Sequence, residues 1–504
     1  MSKTKSALRT AGAGLLTLLV GTVAAGCGSV ASKTASAVAP SSEPTLNVIM
    51  LQGSATTTLI HMIPQFEKEY HIKVNVTTAP YNAMHEKEVE NFISHSDRYD
   101  VMESDNPWLA EYAPAGWELD LNPYLKKLGY PVKQIGPHTL SMDGMIVPVL
   151  NDYGNWNNQL YALPWMPGAQ LLYYRKDLFD NPANKAAFKK EFGYPLTVPK
   201  TLTQLYDVAK FFTDPAKHMY GLTWSAKQGN EAENDYEEIL WAMGGDVFPF
   251  GQGFPSTTNP MKDMPVIDST IALKALKYFD SLKPFMPPGA ESFHWAEITP
   301  VYTSGDAAMM IQWSDFVSQV ASSPYKKDTG FALLPGDPSA PAKNLPNIKP
   351  GHGYSSLGGW AIAVNKDTKY PLDAVKFALW ATGLKMTPQQ RLYYENTAFT
   401  GFGFKSSYTN PKTLGYQLGR FPIELQTYYH YVRRRPEVGA GLQVQTIIGD
   451  QANAAFSGLE TPQKALQTMQ TQLFQLMQSK GYIPTSMHYQ WPSKYVTRAG
   501  TPAS

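Results

Sequence analysis

Glu103 and Asp105 are two carboxylates set two residues apart at the end of the run Tyr99-Asp100-Val101-Met102-Glu103-Ser104-Asp105. In an extended strand such a pair shares one face, with its members about 7 Å apart. That spacing allows two readings: a general acid with a base, or hydrogen bonding to hydroxyl groups and solvent, which is the commoner use. Other reactive patterns are missing from the chain. No GxxxxGK[ST] occurs, Gly401-Phe402-Gly403 lacks a third glycine, and neither GxSxG nor HExxH is present. The ten histidines are scattered. His85 and His95 lie too far apart on one helical stretch to share a face, so both read as solvated helix surface. Cys27 is the single cysteine, which rules out an intrachain disulfide and a cysteine-based zinc site. No metal and no cofactor is called for. Arg433-Arg434-Arg435, ahead of Pro436-Glu437, reads as a solvated loop, with contact to a ligand or partner as the sharper alternative.

With 43 Lys+Arg against 42 Asp+Glu the net charge is +1, so no polybasic field attracts nucleic acid. Aromatic residues make up 12% of the chain and include 11 tryptophans, and this supplies many flat amphipathic rings. Trp108, Trp156, Trp165, Trp224, Trp241, Trp295, Trp313 and Trp360 lie close to Gly, Pro, Asn or Asp, where strands end and loops begin. Sugars offer an apolar CH face to such rings while carboxylates and amides take their hydroxyls. The combination points to carbohydrate, although any single tryptophan serves equally well in a core and only a subset can line a site. Met309 and Met310, inside an apolar run, read as core.

The elements that must position these groups follow from periodicity. Leu46, Val48 and Met50 alternate as a strand, Leu59, Ile63, Phe66 and Tyr70 recur at helical spacing, and Ile72, Val74 and Val76 alternate again. A helical stretch from Met84 to Ile93 then leads to a strand over 99–103. The chain therefore opens βαβαβ, the grammar of an open parallel sheet wrapped by helices. Ligands of such sheets sit beyond the carboxyl ends of the strands, which puts Gln52-Gly53-Ser54 and Asp105-Asn106 at the mouth of one cleft. Strands over 170–174, 307–313 and 359–364 and helices over 202–212, 269–283 and 462–480 repeat the pattern, so two lobes are expected. Stretches 248–260 and 338–353, rich in Gly and Pro, read as insertions or cleft rims.

Residues 1–26 carry Lys3, Lys5 and Arg9 before an apolar stretch, the pattern of an export signal. Ala24-Ala25-Gly26-Cys27 resembles the lipobox of bacterial lipoproteins, which would make Cys27 the lipidated first residue. Cleavage there leaves 40 basic against 42 acidic residues, a net charge of −2. Residues 28–44, mostly Ala, Ser and Pro, cannot form a core and read as a tether. No other stretch reaches the roughly 18–20 apolar residues that span a bilayer.

Six further marks resemble family 1 extracellular solute-binding proteins of ABC sugar importers. They are Tyr99 through Asp105, Trp108 and Gly116-Trp117 to Leu121; Leu160 to Pro164 with Leu172 to Phe179; Trp241 to Phe248; Gly305 to Met310 with Trp313; Gly358-Gly359-Trp360 to Val364; and Arg435-Pro436 with Thr461 to Leu466. The resemblance implies an α/β, two-lobed, periplasmic-binding-protein-like (Venus flytrap) fold with mixed sheets flanked by helices. Lobe 1 would hold 45–167 and 358–415, lobe 2 would hold 168–357 and 416–490, and 491–504 would be a tail. It also implies capture of a sugar or oligosaccharide between the lobes without covalent chemistry, by a monomer anchored outside the cytoplasm through lipid on Cys27. Delivery would be to permease subunits with a cytoplasmic ATPase. By position, Gln52, Asp105, Trp313, Asp315, Gly359 and Trp360 would face the cleft, with Gly359 allowing close ligand approach, and Trp165, Asp235, Tyr236 and Arg435 form a second tier. Two alternatives stand beside this: a secreted polysaccharide-active enzyme using Glu103 and Asp105, and a sensor whose closed form docks on a receptor.

Overall fold

The computed structural model describes residues 43–249, 259–340, 351–414 and 417–488. The signal, Cys27, most of the tether, the tail, and much of the stretches 248–260 and 338–353 lie outside the described residues. Among the described residues, no helix is long and apolar enough to cross a membrane.

The expected βαβαβ opening is present. Strand β1 (Thr45–Leu51) buries Leu46, Val48, Ile49 and Met50. Helix α1 (Ser54–Tyr70) buries Leu59, Met62, Ile63 and Phe66 along one stripe and stops at His71, whose φ of 55° leaves the helical region. β2 (Lys73–Ala79), α2 (Tyr81–Ile93) and β3 (Val101–Asp105) follow, and β2 and β3 both pair with β1 in parallel. Asp105 closes β3 and accepts the Asn106 amide hydrogen as N-cap of α3 (Asn106–Ala115).

Later strands are β4 (Ala162–Arg175), β5 (Tyr220–Thr223), β6 (Ala307–Trp313), β7 (Thr329–Ala332), β8 (Ser355–Val364) and β9 (Val432–Arg433). Among the described residues they complete one nine-stranded mixed sheet of order β2-β1-β3-β8-β4-β6-β5, with β7 also on β4 and β9 on β8. β4 is 14 residues long. Its first half pairs antiparallel with β8, and its second half lies between β6 and β7.

This one strand therefore joins two hydrophobic cores. The first gathers Val48, Leu59, Phe66, Trp108, Trp165, Trp380 and Phe402, and the second gathers Leu172, Leu205, Ile239, Phe279, Ile311 and Leu473. Met309 and Met310 are fully buried, as expected. Around the second core stand α4 (Asn230–Ala242), α5 (Thr270–Leu282), α7 (Gly441–Ser457) and α8 (Pro462–Ser479), whereas α6 (Phe421–His430) packs Phe421 and Tyr428 into a smaller cluster with Ile146, Val149, Tyr153 and Leu357. Ser269 and Thr461 cap α5 and α8 from their N-terminal ends.

His85 corrects the sequence expectation: it is buried, its Nε2 lies 3.0 Å from Glu111 Oε2, and its ring packs edge-on to Trp108. The stretch carrying it is amphipathic, and His85 falls on the inner face. His95 stays exposed beside Asp367.

Glu118 is fully buried with neither carboxyl oxygen hydrogen-bonded among the described residues, and burial pushes its pKa from 4.5 up to about 8. The folded chain then holds a proton that the unfolded chain releases. This contribution to stability is present below pH 4.5 and is lost as pH rises toward 8. In that window the loss is about 1.4 kcal/mol per pH unit for this group. Urea denaturation between pH 5 and 8 should show stability falling with pH, and Glu118→Gln should reduce the slope; an identical slope in the variant refutes the assignment.

Candidate functional site

Beyond the carboxyl ends of β1 and β3, the first core faces the second across a cavity of about 1120 Å³. Gln52, Asp105, Trp313, Asp315, Gly359, Trp360 and Arg435 all line it. Gln52 is exposed at the rim, where the β1–α1 turn leaves the sheet. Trp360 ends the β8 segment paired to Asp105, and its ring packs edge-on to Tyr81 and Trp108, with centroids 5.8 and 5.9 Å away. Trp313 ends β6 and meets Trp295 at right angles, with centroids 5.7 Å apart. The indole N–H groups of Trp295 and Trp313 have no hydrogen-bond partner among the described residues, nor does the amide of Gln445 on the same wall. Desolvation pushes the Asp315 carboxyl up to about 6.

The second-tier residues separate. Trp165 is fully buried in the first core, 6.3 Å from the Tyr394 ring. Asp235 is fully buried, accepting from Gln170 Nε2 at 2.9 Å and from the Ser225 hydroxyl, and burial raises its pKa. Tyr236 donates to the Ala272 carbonyl at 3.2 Å inside the second core. None of these three lines the cavity.

Asp105 is occupied by the protein itself. Oδ1 accepts from the Asn106 backbone at 2.8 Å and Oδ2 from the Tyr81 hydroxyl at 2.7 Å, while Arg435 Nη2 reaches both oxygens at 3.1 and 3.3 Å. The group in this pair that keeps an unused hydrogen is Arg435, whose Nε has no partner among the described residues. Glu103 is fully buried, accepts the Leu51 amide hydrogen at 2.8 Å, and is held well above the usual carboxylate range by desolvation. Neither carboxyl is placed as a free base.

The arginine run also departs from the solvated loop read from sequence. Arg433 donates to Asp246 at 2.7 Å, Arg434 lies 3.1 Å from Asp152 and donates to Glu437 at 2.7 Å, and Arg435 ties to Asp105. Asn106 links the set, donating to Asp152 at 2.7 Å and accepting from Arg435 at 2.6 Å. Glu437 is local, but Asp246, Asp152 and Asp105 come from distant stretches of the chain, which no local pattern around 433–435 reveals. No local pattern assigns Trp295, Tyr81 or Gln445 to the site either. Trp295 carried the general signal of a tryptophan at a loop end, but Tyr81 and Gln445 carried none.

Gly359 has φ of +101°, and a Cβ there would lie 2.0 Å from the Met166 carbonyl oxygen. Its missing side chain admits the neighbouring strand β4, rather than a ligand, at the point where the β8–β4 register shifts.

A mixed sheet uniting two cores, with an aromatic cleft at the strand ends, is the architecture of a two-lobed solute-binding protein. Residues 52–386 match the family model described as bacterial extracellular solute-binding protein, and the chain belongs to that family. It is 22% identical over 440 residues to a probable amino-acid ABC transporter periplasmic-binding protein of Sinorhizobium fredii, covering 86% of this chain and 89% of that one. A mannitol-binding protein of Pseudomonas aeruginosa is 27% identical over 250 residues, covering 49% of this chain and 50% of that one. Among solved structures, an ABC transporter solute-binding protein from Agrobacterium radiobacter in complex with ribitol superposes with a TM-score of 0.68 at 24% identity, over 86% of this chain and 98% of that one.

Gly359→Ala should destabilise the protein by about 2 kcal/mol or more through strain and overlap with β4. Gly53→Ala, whose Cβ meets nothing within 4 Å, should stay within about 0.5 kcal/mol of wild type. Chemical denaturation of both variants checks this; equal stabilities would show that the β8–β4 approach does not need the glycine.

Proposed function

We propose that this chain is the substrate-binding protein of an ABC importer, capturing a sugar or oligosaccharide between two lobes and handing it to permease subunits with a cytoplasmic ATPase. Lobe 1 is assigned to 45–167 with 358–415 and lobe 2 to 168–357 with 416–490, an assignment supported by the two hydrophobic cores. The protein is exported by residues 1–26 and works outside the cytoplasm as a monomer, held to the membrane by lipid on Cys27 through the tether. The one observation that carries the ligand class is the cavity wall. Trp295, Trp313 and Trp360 offer ring faces, and two of their indole N–H groups remain available to hydroxyl oxygens. Gln52, Asp315 and Arg435 supply further polar contacts, and the proteins named above that bind mannitol and ribitol support a hydroxyl-rich ligand.

An α-amino acid, the ligand class in the Sinorhizobium name, requires a cation for its carboxylate. Arg435 is already matched by Asp105 and Asn106, which leaves Lys227 as the lining cation for such a group; the tryptophan wall is what favours an uncharged polyhydroxy ligand. No hydrolytic step is assigned, because Asp105 is occupied and Glu103 is buried.

Thermal unfolding with mannitol, ribitol, maltose, maltotetraose and an amino-acid mixture tests the reading. Saturation at 100 times the dissociation constant adds about 2.7 kcal/mol. A selective rise with the sugar or polyol recovered whole supports capture. Shortened oligosaccharide overturns it in favour of an enzyme, and a rise with amino acids alone overturns the ligand class. Trp360→Ala and Trp313→Ala should each weaken binding by about 1–3 kcal/mol, read by titration calorimetry, with the fold retained.

A further inference from the structure

Behind the cavity lining, more carboxyl groups gather around Arg435 than that one cation can match. Arg435 stands between the two cores. Its Nη2 holds Asp105 and donates to Asn106 at 2.6 Å, while Nη1 donates to Asn230 at 3.0 Å and lies 3.9 Å from Glu233 Oε2. Glu233 is fully buried on α4, and Glu237, one turn further on and also fully buried, is close enough to share a hydrogen with it. Apart from each other, neither carboxyl has a hydrogen-bonding neighbour among the described residues.

Apart from Lys227, which lines the cavity and acts on Glu231, the surroundings offer little other compensation. On α4 itself stand Glu231, which pairs with His294, and Glu238, which accepts the Ser356 amide hydrogen of β8. From β3 comes Asp105, and Tyr81 at the start of α2 already donates to Asp105. Glu237 also faces Asp246, which is bound to Arg433. The neighbouring α7 carries Gln445 and Asp450, and α5 turns Asp280 toward Tyr236. Arg435 is thus shared by Asp105, Glu233 and Glu237, and full ionisation would leave two uncompensated charges in a dry interior. Burial accordingly holds Glu233 and Glu237 above the usual carboxylate range.

We propose that ligand capture in this cleft is proton-linked: while Glu233 carries its proton Arg435 stays on Asp105 and Asn106, and loss of that proton draws the guanidinium onto Glu233. The inference rests on the cavity being the ligand site. Closing the 3.9 Å gap to a hydrogen bond needs a shift of only about 1 Å. Nη1 and Nη2 belong to one rigid fork, so in this switch the move towards Glu233 lengthens the Nη2 contacts with Asp105 at 3.1 and 3.3 Å and loosens the partner of Tyr81, whose ring packs on Trp360. The proton belongs to the binding-competent arrangement, so affinity is highest in mild acid and declines as Glu233 ionises at higher pH.

Titration calorimetry from pH 5.5 to 8.5 on the intact protein, with maltose, maltotetraose, mannitol and ribitol as probes, tests this. The dissociation constant of the tightest probe should rise at least about five-fold across that range. Glu233→Gln, a neutral isostere, should keep the low-pH affinity throughout. Should that variant not fold, Glu237→Gln serves instead: its amide can donate to the Glu233 carboxylate, moving the decline to lower pH. A flat profile for wild type, or a wild-type profile in the variant that folds, overturns the linkage and leaves the carbohydrate reading standing. Failure of every probe to bind at any pH overturns that reading and the linkage with it.

Discussion

A guanidinium withdrawn from water must find carboxylate or carbonyl oxygens within the fold, or its burial is prohibitively unfavourable. Residues 433–435 impose this requirement three times in succession, and the cleft is arranged around how it is met. Arg433 takes Asp246, Arg434 takes Asp152 and Glu437, and Arg435 takes Asp105. Asp105 and Asp152 belong to stretches that build the first core, whereas Asp246 follows α4 of the second. One short run of chain therefore fixes elements of both cores against each other, and its Arg435–Asp105 pair lines the cavity. In the pairing Asp105 accepts from Tyr81 and Arg435, and the Tyr81 ring packs edge-on to Trp360.

The second constraint is the passage of the sheet from one core to the other. β4 changes partners midway, and the change occurs around Pro167-Gly168, where Gly358 and Gly359 of β8 lie opposite. Bulk is excluded at this crossing from two sides. A Cβ on Gly358 would fall 2.2 Å from the Trp313 ring, and one on Gly359 would meet the Met166 carbonyl. The same glycines seat the aromatic wall and let the strands approach, so the geometry of the cavity and the joining of the cores share one steric requirement. Tyr153 and Tyr428 close the back of the crossing, donating to the Gly358 and Pro167 carbonyls.

Much of the fold was legible because it is written in local periodicity. Alternation at 46–50 and 72–76, the helical stripe from Leu59 to Phe66, and the capped helices beginning at Thr270 and Pro462 all depend on neighbours within a few residues. Part of the cavity lining was legible for a related reason. Gln52 and Asp105 follow strands whose carboxyl ends open on one side of a parallel sheet, and topology alone puts them there. Burial was not legible where charge concealed it. Asn230–Ala242 carries five acidic residues and would pass for solvated helix, yet all five are buried. Arg433-Arg434-Arg435 and His85 are concealed in the same way: apart from Glu437, their partners Asp246, Asp152, Asp105 and Glu111 are distant in sequence.

The sequence by itself determined the class of fold, the order of its elements, the family marks and which strand ends open on the cleft, since hydrophobic period, capping and motif order act along the chain. The tertiary structure alone decided which charges neutralise one another. Trp165 and Trp360 both stand beside prolines or glycines; the family resemblance places Trp360 at the cleft ahead of Trp165, and the structure puts Trp360 on the cavity wall and Trp165 inside a core. Asp105 and Arg435 are 330 positions apart, and only the folding of two cores against one crossover brings a carboxylate and a guanidinium so distant in sequence within hydrogen-bonding reach, where desolvation makes their pairing obligatory.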